Sequence, residues 1–546
     1  MPAIQRQLSD LSLEAARRAQ EGGALPDFAL PPEAPISRAK NPVWGDYATA
    51  LALSLARPAG RPPMEIAAAM VDHMPPSAMV GAASTSTPGF VNFTLSPDWV
   101  AAQVDAIVAA GPGYADLTDG AGRTAQVEFV SANPTGPLTV GHGRGGVIGD
   151  AVANLLQAVG YVVTREFYYN NAGRQMQRLG ESLRCRYLQA LGQAQELPED
   201  GYHGQYLADM AADLVEERGA ELREASWEVF SRLAEERIAL GQRRTLEALG
   251  IRMDRFFNEQ SLYEDGAVWA VLERLRAAGH VYDQDGAVWF RATALGGGED
   301  RVVVRSNGEP TYRLPDIAYH EDKLRRGFDL VVDVLGADHK DAFPDVLRGL
   351  QALGHDPSRV RMLMNQFVTF RGERMSKRAG RFTTLDELVE EVGADVARFF
   401  LLMRAPETHL EFDLDLAREQ SDTNPVFYVQ YAHARLSSIL RLAGERGFSP
   451  GGDVSLLMHP AEQALARRLL DLSDVLYLAA GELAPHLIAA YARDLAADFH
   501  AFYRDCRVLD QEDRERSAAR LQLTLAARVG LARALGLLGV TAPEEM

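Results

Sequence analysis

The stretch that decides the fold is VEFVSANPTGPLTVGHGRGGVIGD, residues 127–150. It begins with a short apolar run at 127–131 that is typical of a buried strand. A Pro/Gly turn follows, and a helical pattern runs from about residue 145 to residue 159. A strand that leads through a glycine-rich turn into a helix exposes backbone N–H groups at the helix N-terminus, where phosphate binds readily. The stretch therefore predicts a phosphate-binding α/β unit.

The rest of the segment 116–384 continues this alternation of strands and helices. VVTREFYYNN at 162–171, FDLVVDVLGADH at 328–339 and VRMLMNQFVTF at 360–370 are apolar runs typical of buried strands, with helical patterns between them. The alternation predicts a Rossmann-type, doubly wound parallel sheet. A polar stretch at about 175–295 is predicted to be a mostly helical insertion that ends in a hairpin.

Two further domains are predicted on either side of this α/β core. Residues 1–115 combine helical patterns, one of them at about 45–55, with an alternating strand at 89–96, and so predict a small α+β module. In residues 385–546 apolar residues recur at helical spacing, which predicts an α-helical bundle.

Composition limits the class of protein. The 546 residues are 47% hydrophobic and 24% charged, as in ordinary globular proteins, and the formal net charge is −19. That charge argues against a protein that simply coats nucleic acid, although an acidic body can still carry a local basic face. Cys185 and Cys506 are far apart and form neither a zinc motif nor a disulfide framework. Without a signal peptide or a long apolar run, we expect a cytoplasmic protein with no membrane span.

Two groups of residues suggest chemistry on phosphate. Thr139 and His142 lie on the turn of the opening stretch, where a hydroxyl and an imidazole can donate hydrogen bonds to phosphate oxygens. RGERMSKRAGRF at 371–382 is the sharpest basic cluster of the chain, and its glycines favour a loop whose cations neutralise a leaving pyrophosphate. Both groups follow strands of the predicted sheet, so we expect them to meet at one edge of it.

These two stretches resemble the HIGH and KMSKS signatures of class I aminoacyl-tRNA synthetases. Within that class the first stretch looks like the arginyl-tRNA synthetase family of bacterial type, whose members carry SANPTGPLHVGHGRG at this place. Thr139 stands where that family usually has its first histidine, and His142 matches the second. RMSKR is similar to KMSKS, with Arg374 in place of the first lysine and Lys377 matching the second.

The resemblance implies ATP-dependent ligation of L-arginine to tRNA(Arg) through an arginyl-adenylate. It implies Mg²⁺ with the ATP, no zinc, a monomer, and activation of arginine only when tRNA is bound. The implied catalytic residues are Thr139, His142 and Lys377. The implied ATP-binding residues are Gly141, His142, Gly143, Arg374, Met375, Ser376 and Lys377. For arginine they are Glu128, Ser131, Asn133, Tyr312 and Asp316. For tRNA they are Phe90 and Asn92 at the elbow (the D-loop), and Tyr431, Arg435 and Tyr503 at the anticodon.

The residue types suit these roles. A guanidinium has five N–H donors in a planar fork, so its recognition needs carboxylates with an aromatic or hydroxyl neighbour. Tyr312 and Asp316 in TYRLPDIAYH are one helical turn apart and are expected on one face. Tyr431 and Arg435 are also four apart, and they present a ring and a guanidinium on which RNA bases can stack.

Two alternatives stay open on the sequence alone. A nucleotidylyltransferase of the HxGH superfamily is one, because Thr139 and His142 also fit a T-x-G-H signature. The other is a non-catalytic tRNA-binding paralogue of a synthetase, which the altered first histidine suggests. The long helical C-terminus and the N-terminal module disfavour the first alternative. Glu128, Asp316 and Lys377 disfavour the second.

Overall fold

The computed structural model describes residues 2–39, 41–370, 373–374 and 384–546. Its N-terminal module is an antiparallel sheet with helices. Its elements are α1 (Ala3–Glu21), β1 (Ile36–Arg38), β2 (Tyr47–Thr49), α2 (Leu51–Ala59), α3 (Pro63–Asp72), β3 (Val80–Ser86), β4 (Phe90–Leu95) and α4 (Pro97–Ala110). The strand expected at 89–96 is confirmed as β4. The helix expected at about 45–55 begins only at Leu51, because residues 47–49 pair with β4 as a strand.

The opening stretch forms a strand, a turn and a helix, as expected. The elements that follow the module are β5 (Thr124–Glu128), α5 (Val140–Ala158), β6 (Val162–Tyr169), α6 (Arg174–Ala190), α7 (Gln205–Arg218), α8 (Trp227–Ala248) and β7 (Arg255–Asn258). Helix α5 starts earlier than the expected position near residue 145, because Thr139 caps its first turn. Its glycines allow close packing, since a Cβ at Gly149 would lie 2.2 Å from the Phe129 side chain.

The chain leaves the central sheet twice rather than once. The second excursion and the return are α9 (Gln260–Glu264), α10 (Ala267–Ala277), β8 (Val281–Gln284), β9 (Ala287–Phe290), β10 (Arg301–Val304), α11 (Arg313–Arg325), β11 (Leu330–Gly336), α12 (Phe343–Ala352) and β12 (Val360–Asn365). The expected hairpin is confirmed as β8–β9. The single insertion expected at about 175–295 is interrupted, because β7 pairs in parallel with β6 inside the sheet.

The central sheet has the strand order β12-β11-β5-β6-β7, and all its pairs are parallel. The chain runs outward from β5 to β7 and then returns to β11 and β12 on the other side of β5. Winding therefore reverses between β5 and β11, and in such sheets the crevice at the carboxyl ends of these two strands is where ligands bind. The predicted α/β class with a Rossmann-type sheet is confirmed.

The C-terminal region is helical, as expected, after a small sheet that the sequence did not predict. Its elements are β13 (Val368–Phe370), β14 (Glu373–Arg374), α13 (Leu385–Val392), α14 (Ala394–Leu402), β15 (Leu410–Glu411), α15 (Leu414–Arg418), α16 (Pro425–Glu445), α17 (Pro460–Glu482), α18 (His486–Asp505) and α19 (Arg514–Leu537). One continuous apolar core, from Leu8 to Val540, joins the module, the central sheet and the bundle. Among the described helices, none combines the length and the apolar character that crossing a membrane requires.

Candidate active site and tRNA interface

A cavity of about 730 Å³ opens at the carboxyl ends of the central strands, where the winding reverses. The structure brings most of the residues expected for ATP and arginine into this one cavity. Those that line it are Glu128, Ser131, Asn133, Thr139, Gly141, His142, Tyr312 and Asp316. The lining also contains residues that the sequence did not single out, among them Tyr168, Glu259, Tyr319, His320 and Asp333.

At the N-terminus of α5, Thr139 and His142 form a reciprocal cap. The backbone N–H of His142 donates to the Thr139 hydroxyl at 3.4 Å, and the His142 ring nitrogen Nδ1 accepts from the Thr139 backbone N–H at 3.2 Å. Burial lowers the pKa of His142, so the ring is neutral at pH 7. A neutral ring that accepts at Nδ1 carries its proton at Nε2. His142 therefore offers an N–H donor to the cavity, next to the positive end of the α5 helix dipole.

The inserted helices hold the turn that leads into α5. Gln242 of α8 donates to the carbonyl oxygens of Asn133, at 3.1 Å, and Gly136, at 2.9 Å. The Tyr206 hydroxyl of α7 donates to the carbonyl oxygen of Thr135 at 2.6 Å. The excursion between β6 and β7 is thus a structural part of the site, and nothing in its polar sequence indicated this role.

Strained backbone follows β5. Val130 has φ of 69° and Ser131 has φ of 42°. Residues other than glycine rarely adopt this backbone region, and it costs roughly 1–3 kcal/mol per residue. The conformation lets the Ser131 hydroxyl donate to Glu128 Oε1 at 2.8 Å and accept from the Tyr168 backbone N–H at 3.3 Å. The strain therefore fixes Ser131 and Glu128 at the edge of the cavity.

Two carboxylates of the cavity form no ion pair among the described residues. Asp316 makes no side-chain hydrogen bond or ion pair within that part of the chain, and Glu259 accepts only from the Tyr168 hydroxyl, at 2.5 Å. Burial, with Glu259 and Glu128 nearby, raises the pKa of Asp316 from 3.8 to about 6. Tyr312, 56% exposed, stands at the start of α11 beside the same cavity. Carboxylates without a counter-charge beside aromatic rings suit a cationic ligand.

Other expected site residues differ in their access to the cavity. Gly143 does not line the cavity: a Cβ there would lie 2.5 Å from the Leu385 side chain, so this glycine allows α5 to pack against α13. The Asn133 side chain is exposed and accepts from the Asn170 backbone N–H at 3.0 Å. Met375, Ser376 and Lys377 lie outside the described residues, as does the side chain of Arg374.

An aromatic surface with one guanidinium lies on helices α16 and α18. Arg435 donates to the Tyr503 hydroxyl at 2.6 Å, and its guanidinium lies 4.9 Å from the centre of the Tyr503 ring. Tyr431 is 38% exposed and stacks on Phe427, with ring planes 6° apart, and on His500. The three expected residues are therefore brought together. Phe427 and His500 extend the surface and were missed. Phe427 is one helical turn before Tyr431 and could have been found from that spacing, whereas His500 lies on another helix, so the sequence hides its contact.

In the N-terminal module, the two expected tRNA contacts differ in access. Phe90 is half-buried at the start of β4. Asn92 is only 3% exposed, and its amide donates to the Ser86 hydroxyl at 2.9 Å. In this conformation the Asn92 side chain is buried, and its contact with a tRNA base stays a prediction.

Three family profiles match the chain one after another. "Arginyl tRNA synthetase N terminal domain" matches residues 3–95, "tRNA synthetases class I (R), catalytic domain" matches 103–399, and "DALR anticodon binding domain" matches 429–546. The catalytic profile alone spans more than half of the chain. The chain belongs to the arginyl-tRNA synthetase family.

Curated relatives and solved structures agree with this assignment. An arginine–tRNA ligase of Desulforudis audaxviator is 48% identical over 558 residues, covering 100% of this chain and 97% of the relative. The enzyme of that name from Salinibacter ruber is 46% identical and covers 96% of this chain and 97% of the relative. The structure of Thermus thermophilus arginyl-tRNA synthetase superposes with a TM-score of 0.75 at 26% identity and covers 100% of both chains.

As a member of this family, the chain is an enzyme that ligates arginine to tRNA with ATP. Its fold is also that of other class I synthetases. A Mycobacterium tuberculosis methionyl-tRNA synthetase superposes with a TM-score of 0.56 at 17% identity over 77% of this chain and 92% of that one. The family resemblance expected from residues 127–150 is thereby confirmed. The nucleotidylyltransferase alternative leaves the two flanking profiles unexplained.

Proposed function

We propose that the arginyl-tRNA synthetase cavity binds the guanidinium of L-arginine with Asp316 and Glu128, and with Glu259 beside them. One observation carries the proposal: among the described residues, Glu128 and Asp333 share the cation Lys323, whereas Asp316 and Glu259 form no ion pair. An arginine side chain supplies that positive charge together with N–H donors for both carboxylates. A lysine side chain presents a point charge that cannot bridge two carboxylates with a planar fork.

The α-amino group of arginine is proposed to lie against Ser131 and Asn133. Both residues are on the turn that joins β5, which ends at Glu128, to α5, which Thr139 caps. The Ser131 hydroxyl and the Asn133 side-chain oxygen are acceptors suited to an ammonium group. This orientation directs the arginine carboxylate toward the N-terminus of α5.

At that helix end, the proposed chemistry is adenylate formation. A carboxylate oxygen of arginine bonds to the α-phosphorus of ATP, and the bond from that phosphorus to the bridging oxygen of pyrophosphate breaks. The Nε2–H of His142 and the Thr139 hydroxyl stabilise the charge on the phosphate oxygens, and Lys377 is proposed to act on the leaving pyrophosphate. A ribose hydroxyl of the terminal adenosine of tRNA then attacks the arginyl carbonyl, and AMP leaves.

Mg²⁺ is proposed to arrive with ATP as its phosphate complex. The groups at the start of α5 are N–H and O–H donors, which suit phosphate oxygens rather than a metal ion. Within the described part of the chain, no group of three or more His, Cys, Asp or Glu side chains is arranged to hold a metal. The phosphate oxygens themselves would be the main ligands of the ion.

The tRNA is proposed to meet two surfaces. Tyr431, Arg435 and Tyr503 present exposed rings and a guanidinium, on which splayed anticodon bases can stack. Phe90 and Asn92 of β4 are the candidates for a base of the elbow, and Phe90 is the more accessible of the two. The continuous core from module to bundle supports a fixed distance between the two surfaces.

The direct test is charging of total tRNA with each of the twenty amino acids in separate reactions. We expect arginine to be joined and lysine not to be. Charging with another amino acid, or tRNA binding without any charging, would overturn the proposal, and the second outcome would favour a non-catalytic paralogue.

We also propose a cytoplasmic monomer. Both cysteines, Cys185 and Cys506, are buried and unpaired, which is compatible with a reducing compartment. Sedimentation equilibrium on the purified chain, with and without tRNA, tests the monomer; a mass of two chains would contradict it.

A further inference from the structure

A chain of hydrogen bonds joins two acids of the cavity, Glu128 at the end of β5 and Glu259 directly after β7. The Ser131 hydroxyl donates to Glu128 Oε1 at 2.8 Å and accepts from the Tyr168 backbone N–H at 3.3 Å. The Tyr168 hydroxyl donates to Glu259 Oε2 at 2.5 Å. All four residues line the cavity. Tyr168 of β6 therefore connects the two acids, through its backbone on one side and its side chain on the other.

The Tyr168 side chain is held in place by other aromatic rings. Its ring stacks on Phe257, with ring planes 8° apart and centres 6.1 Å apart, and packs against Tyr319 of α11, with centres 4.6 Å apart. Phe257 is opposite Tyr168 in the register of β6 and β7, and both Phe257 and Tyr319 are buried. Close packing in an interior keeps a side chain in a single rotamer. The sheet and α11 thus fix the position of the Tyr168 hydroxyl.

The Glu259 side chain depends on this hydroxyl. Glu259 lies between β7 and α9, and its carboxylate makes no other hydrogen bond and no ion pair within the part of the chain that the structure describes. A glutamate side chain has several rotatable bonds, so without a partner it samples several directions. The Tyr168 hydroxyl occupies one carboxylate oxygen, Oε2, and leaves Oε1 for a ligand of the cavity.

We propose that Tyr168 is a positioning residue that fixes Glu259 relative to Glu128 and so sets the length of amino-acid side chain that the cavity accepts. Under the proposed binding mode, Ser131 meets the α-amino group and the acids meet the guanidinium. Tyr168 contacts Ser131 with its backbone and Glu259 with its side chain, so one rigid tyrosine separates the two ends of the substrate site. The inference rests on that binding mode and assigns the selectivity to a residue that acts through Glu259.

The Tyr168 hydroxyl stays protonated throughout the pH range of an activity assay. Burial, together with the nearby Glu259 and Asp316, raises the pKa of Tyr168 well above its ordinary value of 10. A hydroxyl that donates to a carboxylate makes a charge-assisted hydrogen bond, which is stronger than a neutral one. Tyr168 therefore remains a donor to Glu259 under all conditions in which the enzyme is assayed.

Loss of the hydroxyl has a specific expected consequence. Tyr168→Phe keeps the ring between Phe257 and Tyr319, so the aromatic packing remains. Glu259 loses its donor, and arginine binding must then bear the entropic cost of ordering the Glu259 side chain. A freed Glu259 can also move aside for homoarginine, whose side chain is longer than that of arginine by a single methylene. The variant should therefore bind arginine less tightly and discriminate less by length.

The experiment measures ATP–pyrophosphate exchange of the full chain with tRNA present, for arginine and for homoarginine. Tyr168→Phe removes the hydroxyl, Glu259→Ala removes its acceptor, and the double variant shows whether the two residues act together. Tyr282→Phe is the matched control. It removes a tyrosine hydroxyl that also donates to a carboxylate, Asp300, at 3.1 Å, but Tyr282 lies in the β8–β9 hairpin and does not line the cavity.

For Tyr168→Phe we expect the arginine KM to rise about 3- to 10-fold, with kcat and the KM for ATP unchanged. The wild type should prefer arginine to homoarginine in kcat/KM by about 10- to 200-fold, and Tyr168→Phe should reduce that preference at least about threefold. In the Glu259→Ala background, adding Tyr168→Phe should change the arginine KM by less than about twofold. Tyr282→Phe should match the wild type.

Equal effects of Tyr168→Phe with and without the Glu259 side chain, or an unchanged preference over homoarginine, would overturn the inference. If Tyr168→Phe does not fold, Glu259→Asp breaks the same hydrogen bond, because it keeps the charge on a shorter side chain. A wild-type preference in Glu259→Asp would then overturn the inference, and a reduced one would support it. An unchanged arginine KM in Glu259→Ala would overturn the binding mode itself, whereas a raised KM there beside an unchanged KM in Tyr168→Phe would overturn the role of Tyr168 alone.

Discussion

Replacement of Asp316 by Asn separates two effects of this carboxylate: its contribution to arginine binding and its cost to the stability of the fold. In the structure Asp316 is a half-buried acid that forms no ion pair among the described residues, and burial, opposed by His320, raises its pKa from 3.8 to about 6. Arginine is the expected partner. Asp316→Asn keeps the size of the side chain and removes only the charge.

The expected loss of arginine binding follows from the strength of a hydrogen bond to a charged group. Such bonds contribute about 1.5–3 kcal/mol, so the arginine KM should rise about 10- to 150-fold while the KM for ATP stays unchanged. If only the ionised form of Asp316 binds arginine, the wild-type KM should rise about tenfold from pH 7 to pH 5. Asp316→Asn should flatten that part of the profile.

The same substitution should stabilise the fold. A carboxyl group whose pKa is raised on folding favours the folded state below its unfolded pKa, and that contribution is lost as the pH rises through about 6. The rise of the pKa from 3.8 to about 6 lowers the free energy of unfolding by at most about 3 kcal/mol at neutral pH. Asn carries no charge and would restore that stability. Urea unfolding at pH 5 and pH 7 measures this difference.

The matched control is Asp322→Asn, on the same helix and paired with Arg326 at 2.9 Å. It should leave the arginine KM and its pH profile unchanged. An unchanged arginine KM in Asp316→Asn, or an acidic limb identical to that of the wild type, would refute the assignment of Asp316 to the guanidinium. A variant less stable than the wild type at pH 7 would refute the electrostatic argument.

Three further predictions concern phosphate and tRNA. His142→Ala should lower the rate of adenylate formation about 10²- to 10³-fold in ATP–pyrophosphate exchange with tRNA, with the arginine KM within about twofold of wild type; an unchanged rate would show that Nε2 makes no contact with phosphate. Lys377→Ala should behave similarly, losing about 2.7–4 kcal/mol of transition-state stabilisation, and equal exchange in variant and wild type would contradict its role. Tyr431→Ala should raise the KM for tRNA, because the stacking of one base contributes about 1–3 kcal/mol to binding, and it should leave the KM for arginine unchanged. The control Tyr477→Ala, at a similarly exposed tyrosine on α17, should change neither KM. Equal effects of the two substitutions would argue against a specific base contact.

Much of the fold was predictable because its signals are local. The strand, turn and helix of residues 127–150 follow from apolar runs and turn chemistry, and their nucleotide-binding character follows from the exposed helix N-terminus. By contrast β7 has four residues, RFFN, inside a polar stretch, and it is a strand only because β6 offers it a parallel partner. The start of α5 at Val140 was also missed, because glycine lowers helix propensity while the cap and the packing against Phe129 outweigh it.

The candidate site was predictable residue by residue but not in its charge balance. Thr139, His142, Tyr312 and Asp316 were identified from motif and spacing, and they share one cavity. Which acids are neutralised depends on the strand register and on where α11 places Lys323, and neither can be read from spacing in the sequence. Glu259 could have been noticed as an acid directly after an aromatic-rich run.

The most direct test of the account is a crystal structure of this enzyme with a non-hydrolysable arginyl-adenylate analogue. The account predicts the guanidinium within hydrogen-bonding distance of both Asp316 and Glu259, the phosphate mimic beside Nε2 of His142, and the Lys323 ammonium still on Glu128 and Asp333. A guanidinium that contacts neither Asp316 nor Glu259 would contradict it.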